Sequence, residues 1–247
     1  MRIVRPTPDS EKQSDMWNRL IHGKLETPMT WETELSANGN NTESWEKLID
    51  SGKVGIMALI RNLRNIITAN PTNIEKVWQT LENPAVIHKS KQLPFRLLSA
   101  YKQIKGIAGS RAIDALESAV EASIENIPKL PGTTVIEVDM YASMSMPISA
   151  GSTVMCYEIG MMLGLIANRI CENSLFYTFN YTLRKYPLSR RTDILQACSN
   201  MAYPEGCTNM FLPFGEMVQK RIKADRIIVI SDEECNVRSK AVQTFAD

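Results

Sequence analysis

What the chain has little of narrows its function first. Its net charge is only +1 over 247 residues, so overall charge does not make it a generic binder of polyanions. It has just two histidines, His22 and His88, isolated from one another, and so no histidine-built metal centre. No apolar run reaches membrane-spanning length, and the charged start Met1-Arg-Ile-Val-Arg-Pro6 is unlike a signal peptide. The five cysteines (156, 171, 198, 207, 235) are odd in number and widely spaced. That predicts free thiols in a reducing, cytoplasmic setting rather than disulfides. No Cys-x-x-Cys pair, phosphate-binding Walker loop or nucleophile elbow occurs, and Glu233-Glu234 has no partnered nucleophile. A binding protein, not an enzyme, with no membrane partner, is the expectation.

What is there divides into two patterns. Residues 1–127 read as short helices separated by Pro, Asn and Gly: 11–22, 31–38, 45–49, 54–68, 73–82, 84–91, 94–104 and 110–126. Thr30 is placed to cap one of them, with Glu32 and Glu34 in its first turn where the helix dipole favours acids. In 54–68, Ile56, Leu59, Ile60, Leu63, Ile66 and Ile67 share one face, and Arg61, Arg64, Asn65 and Thr68 share the opposite one. Helices of this length and spacing suggest stacked helical pairs rather than a bundle. A linker with two prolines, Ile127-Pro-Lys-Leu-Pro-Gly132, follows. Residues 128–247 then alternate strand and helix: strands 133–139, 175–181 and 226–231, helices 153–171, 190–201 and 210–223. That order implies a doubly wound α/β sheet. The thirteen methionines, several near residues 140–162, read as core filler.

Charge is spread unevenly. From Lys53 to Arg111 ten Lys or Arg stand against Glu75 and Glu82, an excess of eight in a chain whose total is +1. A solvated helical face usually mixes signs more evenly. A basic tract with Asn, Ser, Tyr101 and His88 interspersed suits phosphate contact with some base stacking. Arg61, Arg64, Lys89, Lys91, Arg96 and Lys102 are the candidate nucleic-acid contacts.

The second candidate site is Thr133-Thr-Val-Ile-Glu-Val-Asp139-Met-Tyr141-Ala-Ser143. A β-branched run ends in Asp139, and ligands in α/β folds gather at the carboxyl ends of strands. Oxygen donors on a loop beside a rigid strand suit a hard cation. Asp139-x-Tyr141-x-Ser143 resembles the Asp-x-Ser-x-Ser signature of the von Willebrand factor A fold, whose metal-ion-dependent adhesion site usually binds magnesium. Upstream, Met29-Thr-Trp-Glu32, Met57-Ala-Leu-Ile-Arg-Asn-Leu-Arg-Asn65 and Leu93-Pro-Phe-Arg96 resemble the helical-repeat part of TROVE-module proteins, the Ro autoantigen family. Gly206-Cys-Thr-Asn209 and Val229-Ile-Ser-Asp-Glu-Glu234 continue the resemblance.

The resemblance implies HEAT-like helical repeats in 1–127 and a von Willebrand A-like α/β domain in 128–247, incomplete at its carboxyl end. It implies binding of small non-coding RNA within a ribonucleoprotein, and a Mg2+ or other divalent cation on Asp139, Ser143, Thr208 and Asp232. Tyr141 departs from the pattern, because a phenol oxygen lies too far from its own backbone to take a serine's vertex. Two other readings stay open. One is a metal-dependent protein-interaction module; the other is a structural or assembly subunit with a degenerate metal site. A module lacking its flanking repeats and strands is also expected to associate, with itself or with a partner, through uncovered edges.

Overall fold

The computed structural model describes residues 7–186, 188–189, 192–206 and 209–233. Helix starts follow capping chemistry. Ser10 opens α1 (Glu11–Ile21), and Asn41 opens α3 (Thr42–Asp50) by accepting from the Ser44 amide at 2.9 Å. At α2 (Trp31–Asn38) the Thr30 and Thr33 hydroxyls each accept from the other's amide, a reciprocal cap. Proline at the first helical position starts both α6 (Pro84–Ser90) and α7 (Pro94–Ile104). α4 (Ile56–Ala69) and α5 (Glu75–Leu81) lie between α3 and α6, and α8 (Ser110–Ile124) closes the helical half.

On α4, Ile56, Leu59, Ile60, Leu63 and Ile66 are buried, the face that the periodicity predicts. α8 is a central strut. Its buried Ala112, Ala115, Ala119 and Ala122 leave room for α5, α6 and α7 to pack against it. α1, by contrast, buries no residue, and its Met16, Leu20 and Ile21 are exposed.

After the linker the chain forms β1 (Leu130–Asp139), a single 3-10 turn (Ala142–Ser145), α9 (Cys156–Ile170), β2 (Cys171–Phe179), β3 (Leu183–Tyr186), α10 (Ile194–Ser199), α11 (Phe211–Gln219) and β4 (Arg226–Ile230). The sheet order is β3-β2-β1-β4, with β1 parallel to both β2 and β4. β1 is therefore central, and Asp139 sits at its carboxyl end. One face of β1 packs on α9. A Cβ at Gly164 would stand 2.7 Å from Val138 Cγ2 and 2.9 Å from Phe176, so only glycine lets the helix come this close. The other face of the sheet, through Val135 of β1 and Tyr177 of β2, packs on Met217 of α11.

Two differences from the sequence reading have clear causes. β2 begins directly at the end of α9, because the polar run Glu172-Asn-Ser174 pairs with the start of β1 instead of forming a loop. β3 was not expected, having no apolar run. Asn180 Oδ1 accepts from the Thr182 amide (2.9 Å) and hydroxyl (3.0 Å), a side-chain turn that folds β3 back antiparallel on β2. Its exposed Arg184 and Lys185 guard the sheet edge. Of the cysteines, 156, 171 and 198 form no disulfide among the described residues, while 207 and 235 lie outside them. Burial pushes the Cys198 thiol far up, which keeps it unreactive. Among the described residues no helix is long and apolar enough to cross a membrane.

The halves are not separate in space. One continuous core runs from Trp45 on α3 through α4, α7 and α8 to Ile136, Leu165 and Phe176 beside the sheet, and on to Leu195 of α10.

Candidate functional site

At the carboxyl end of β1 the oxygens converge as the strand order dictates. Asp139 is fully buried; its Oδ1 accepts from the Tyr141 amide at 2.9 Å and its Oδ2 from the Ser231 hydroxyl at 2.8 Å. Burial pushes this carboxyl up, the Ser231 and Tyr141 bonds pull it down, and the nearby Asp232 charge pushes it up again. Ser143, on the 3-10 turn, donates its hydroxyl to Asp232. Three of the four expected ligands, Asp139, Ser143 and Asp232, thus lie together. Thr208 is outside the described residues.

No group of three or more His, Cys, Asp or Glu side chains able to hold a metal occurs among the described residues. A cation here would lean on two carboxylates and on hydroxyls. That all-oxygen donor set fits magnesium and suits zinc poorly. Ser231 joins the cluster because it continues β4 opposite Asp139, on the same face of the sheet. Two residues back on β1, Glu137 is fully buried with neither carboxylate oxygen hydrogen-bonded, and desolvation pushes it up to about 7.

The basic tract separates into committed and uncommitted charges. Lys76 pairs with Asp50, Arg111 bridges Glu75 and Glu82, and Lys102 pairs with Glu158 of α9. Lys102 also donates to the Thr153 carbonyl at 2.5 Å, so its ammonium is already saturated by protein oxygens. Arg61, Arg64, Lys89, Lys91 and Arg96 are exposed, and none makes an ion pair among the described residues.

Where α4 packs against α7, two of these cations meet. Met57, Ile60 and Arg61 follow helical spacing on α4, and Arg96, Ser99 and Gln103 do so on α7. With Ala100 and Gln92 they line a recess of about 200 Å3, and among the described residues no carboxylate lines it. Lys91 closes α6 in the left-handed region (φ 51), and this turn brings Gln92 to the seam. The opposite polarity lies elsewhere. A groove of about 730 Å3 along α8 is lined mostly by acids, Glu82, Asp114, Glu117, Glu121, Glu125 and Asp193, against Lys129 and Arg169. There Glu117 accepts from the Leu195 and Gln196 amides, and its burial pushes the carboxyl up.

Residues 13–110 match the family model described as TROVE domain, and residues 133–246 match that described as Ro60 vWA domain. The chain belongs to the Ro-like TROVE proteins. Telomerase protein component 1 of Mus musculus is 37% identical to it over 107 residues, which is 42% of this chain and 4% of that protein. The Rattus norvegicus protein of the same name is 36% identical over 107 residues, with the same coverage. The crystal structure of the Deinococcus radiodurans RO (RSR) protein superposes with a TM-score of 0.59 at 19% identity, covering 98% of this chain and 59% of that one. This Ro-like chain therefore spans about 4% of the curated relatives' length, and its likeness to the bacterial protein is one of fold. Within the TROVE part lie Arg61, Arg64, Lys89, Lys91 and Arg96; within the Ro-type A domain lies the Asp139 cluster.

Sequence reasoning did not find Gln92, Ser99, Gln103 or Ser231. Ser231 had a signal, since it stands next to Asp232 at a strand end. The three recess residues had none, because the meeting of α4 with α7 is a tertiary event.

Proposed function

We propose that the chain binds RNA through the α4–α7 face, as an RNA-associated component of a ribonucleoprotein. The observation that carries this reading is the convergence of Arg61 and Arg96 on one recess that no acid among the described residues lines. Unpaired guanidiniums repel each other across such a seam and are retained where an anion neutralises both. Arg64, Lys89 and Lys91 are exposed as well, while the mostly acidic groove along α8 disfavours phosphates. Membership of the Ro-like TROVE family supports an RNA partner, and a mouse relative is named as a component of telomerase. Small non-coding RNA is the partner that best fits a single exposed basic face.

Binding measured against salt tests this. Each phosphate engaged on a single strand contributes about −0.7 to the slope of log affinity against log salt. Replacing Arg61 and Arg96 together by Gln should flatten that slope by about 1.4. Unchanged affinity and slope in a folded double variant would overturn it.

A second reading concerns the Asp139 cluster. Asp139, Ser143 and Asp232 would hold magnesium, and Ser231 would orient Asp139. When bound, the ion supplies a Lewis-acidic point that a carboxylate or phosphate of a partner completes. What supports this is the two neighbouring carboxylates, Asp139 and Asp232, each fixed by a serine hydroxyl.

A further inference from the structure

We propose that β4 pairs with β4 of a second copy of this chain, antiparallel about a two-fold axis at Ile228, so that two sheets join edge to edge. The two lateral strands of the sheet are built in opposite ways. β3 carries exposed Arg184 and Lys185, which discourage pairing. β4 pairs with β1 alone among the described residues, and it reads Arg226-Ile-Ile-Val-Ile230. Its one charge is turned inward: the Arg226 guanidinium donates to the Pro131 carbonyl at 2.7 Å and to the Thr134 hydroxyl at 3.0 Å. On the α11 side of the sheet, Ile227 and Val229 are each 37% exposed. An apolar strand whose outer amides and carbonyls stay open is the surface that takes up another strand.

Side-chain matching picks β4 itself as the partner strand. With the axis at Ile228, Ile227 stands opposite the partner's Val229, and Val229 opposite the partner's Ile227. Both are apolar pairs on one face of the joined sheet, the kind of cross-strand contact that stabilises a ladder. Ile228 meets the partner's Ile228 on the other face. Beyond the ladder, Lys223 comes level with the partner's Glu233, twice by symmetry. Both side chains are exposed, and neither makes an ion pair among the described residues. The neighbouring symmetric registers fit worse. An axis at Ile227 sets Asp225 against the partner's Val229, and an axis at Val229 sets Asp225 against the partner's Glu233, a repulsive pair. A two-fold contact of this kind also closes on itself, since each copy uses the same strand and offers no third copy a β4 edge.

Sedimentation of the full chain, freed of nucleic acid, across a low to high micromolar concentration series tests the pairing. The unsubstituted protein should show a monomer–dimer equilibrium. Ile227→Lys, at an exposed side chain, puts a lysine into both apolar pairs and should raise the dissociation constant by about tenfold. Lys223→Glu sets like charges at both ends and should weaken the dimer by about fivefold. Lys223→Glu combined with Glu233→Lys should restore it, a rescue that only the register centred on Ile228 gives. Should Ile227→Lys fail to fold, the charge exchange, confined to two exposed side chains, carries the test. A monomer at every concentration, or a dimer indifferent to both Ile227→Lys and the charge reversal, overturns the pairing. A dimer weakened by Ile227→Lys but untouched by the charge exchange overturns the register.

Discussion

Lys102 of α7 and Glu158 of α9 form an ion pair between the helical half and the sheet half. Nζ lies 2.5 and 2.7 Å from the two carboxylate oxygens, with the side chains 18% and 4% exposed. Glu158 also accepts from the Met155 amide and so caps α9. Lys102→Met leaves a buried carboxylate without its counter-charge and should cost about 3–5 kcal/mol. Adding Glu158→Gln, which keeps an acceptor for the cap, should recover at least half of that loss. Urea unfolding of the three proteins tests it; strictly additive losses would show that the pair is not coupled.

Tyr141→Ser should tighten magnesium binding at the Asp139 cluster, since a serine hydroxyl reaches a vertex that the phenol cannot. Calorimetric titration of both proteins reads the difference directly. Negligible heat in both would make the cluster a purely structural contact.

Glu117 gives a pH dependence of known sign. Burial raises its native pKa above the ordinary carboxylate value, so the native state holds its proton more firmly than the unfolded chain does. Its contribution to stability is complete below the unfolded pKa and is lost as pH rises through the native one. Glu117→Gln keeps an oxygen for the Leu195 and Gln196 amides while removing the charge. The variant should be more stable above that range, with a flatter profile from the ordinary carboxylate range upward. An unaltered profile would place the titration elsewhere.

Gly164→Ala should destabilise the chain by about 1–3 kcal/mol through overpacking, because the added methyl meets Val138 and Phe176 inside contact distance. Thermal unfolding with and without a compensating Phe176→Leu measures it; no loss in the single variant would mean that α9 can shift outward freely.

Much of this fold is written locally. Thr30, Pro84 and Pro94 announce helix starts through their own chemistry, and the isoleucines and leucines of α4 mark its buried face; Asn41, which reads as the end of α2, instead caps α3. The strand ending at Asp139 is equally plain, because apolar residues give way abruptly to polar ones. Partnerships between distant residues are not local. Lys102 reads like any basic residue of the tract until α9 places Glu158 against it. Arg61 and Arg96 read as two separate solvated cations until their helices pack. β3 depends on one asparagine turn whose signal is no stronger than that of other polar loops.

The continuous core through α7, α8, α9 and α10 makes the linker a boundary in sequence and not in thermodynamics. Leu97, Leu98 and Ala115 on one side and Leu165 and Leu195 on the other belong to one buried cluster. Cutting the chain after Ile127 would therefore bare an apolar flank on each piece instead of freeing two modules. Occupancy of the basic face and of the Asp139 cluster would then be linked: a ligand that stabilises either one raises the cost of unfolding the other.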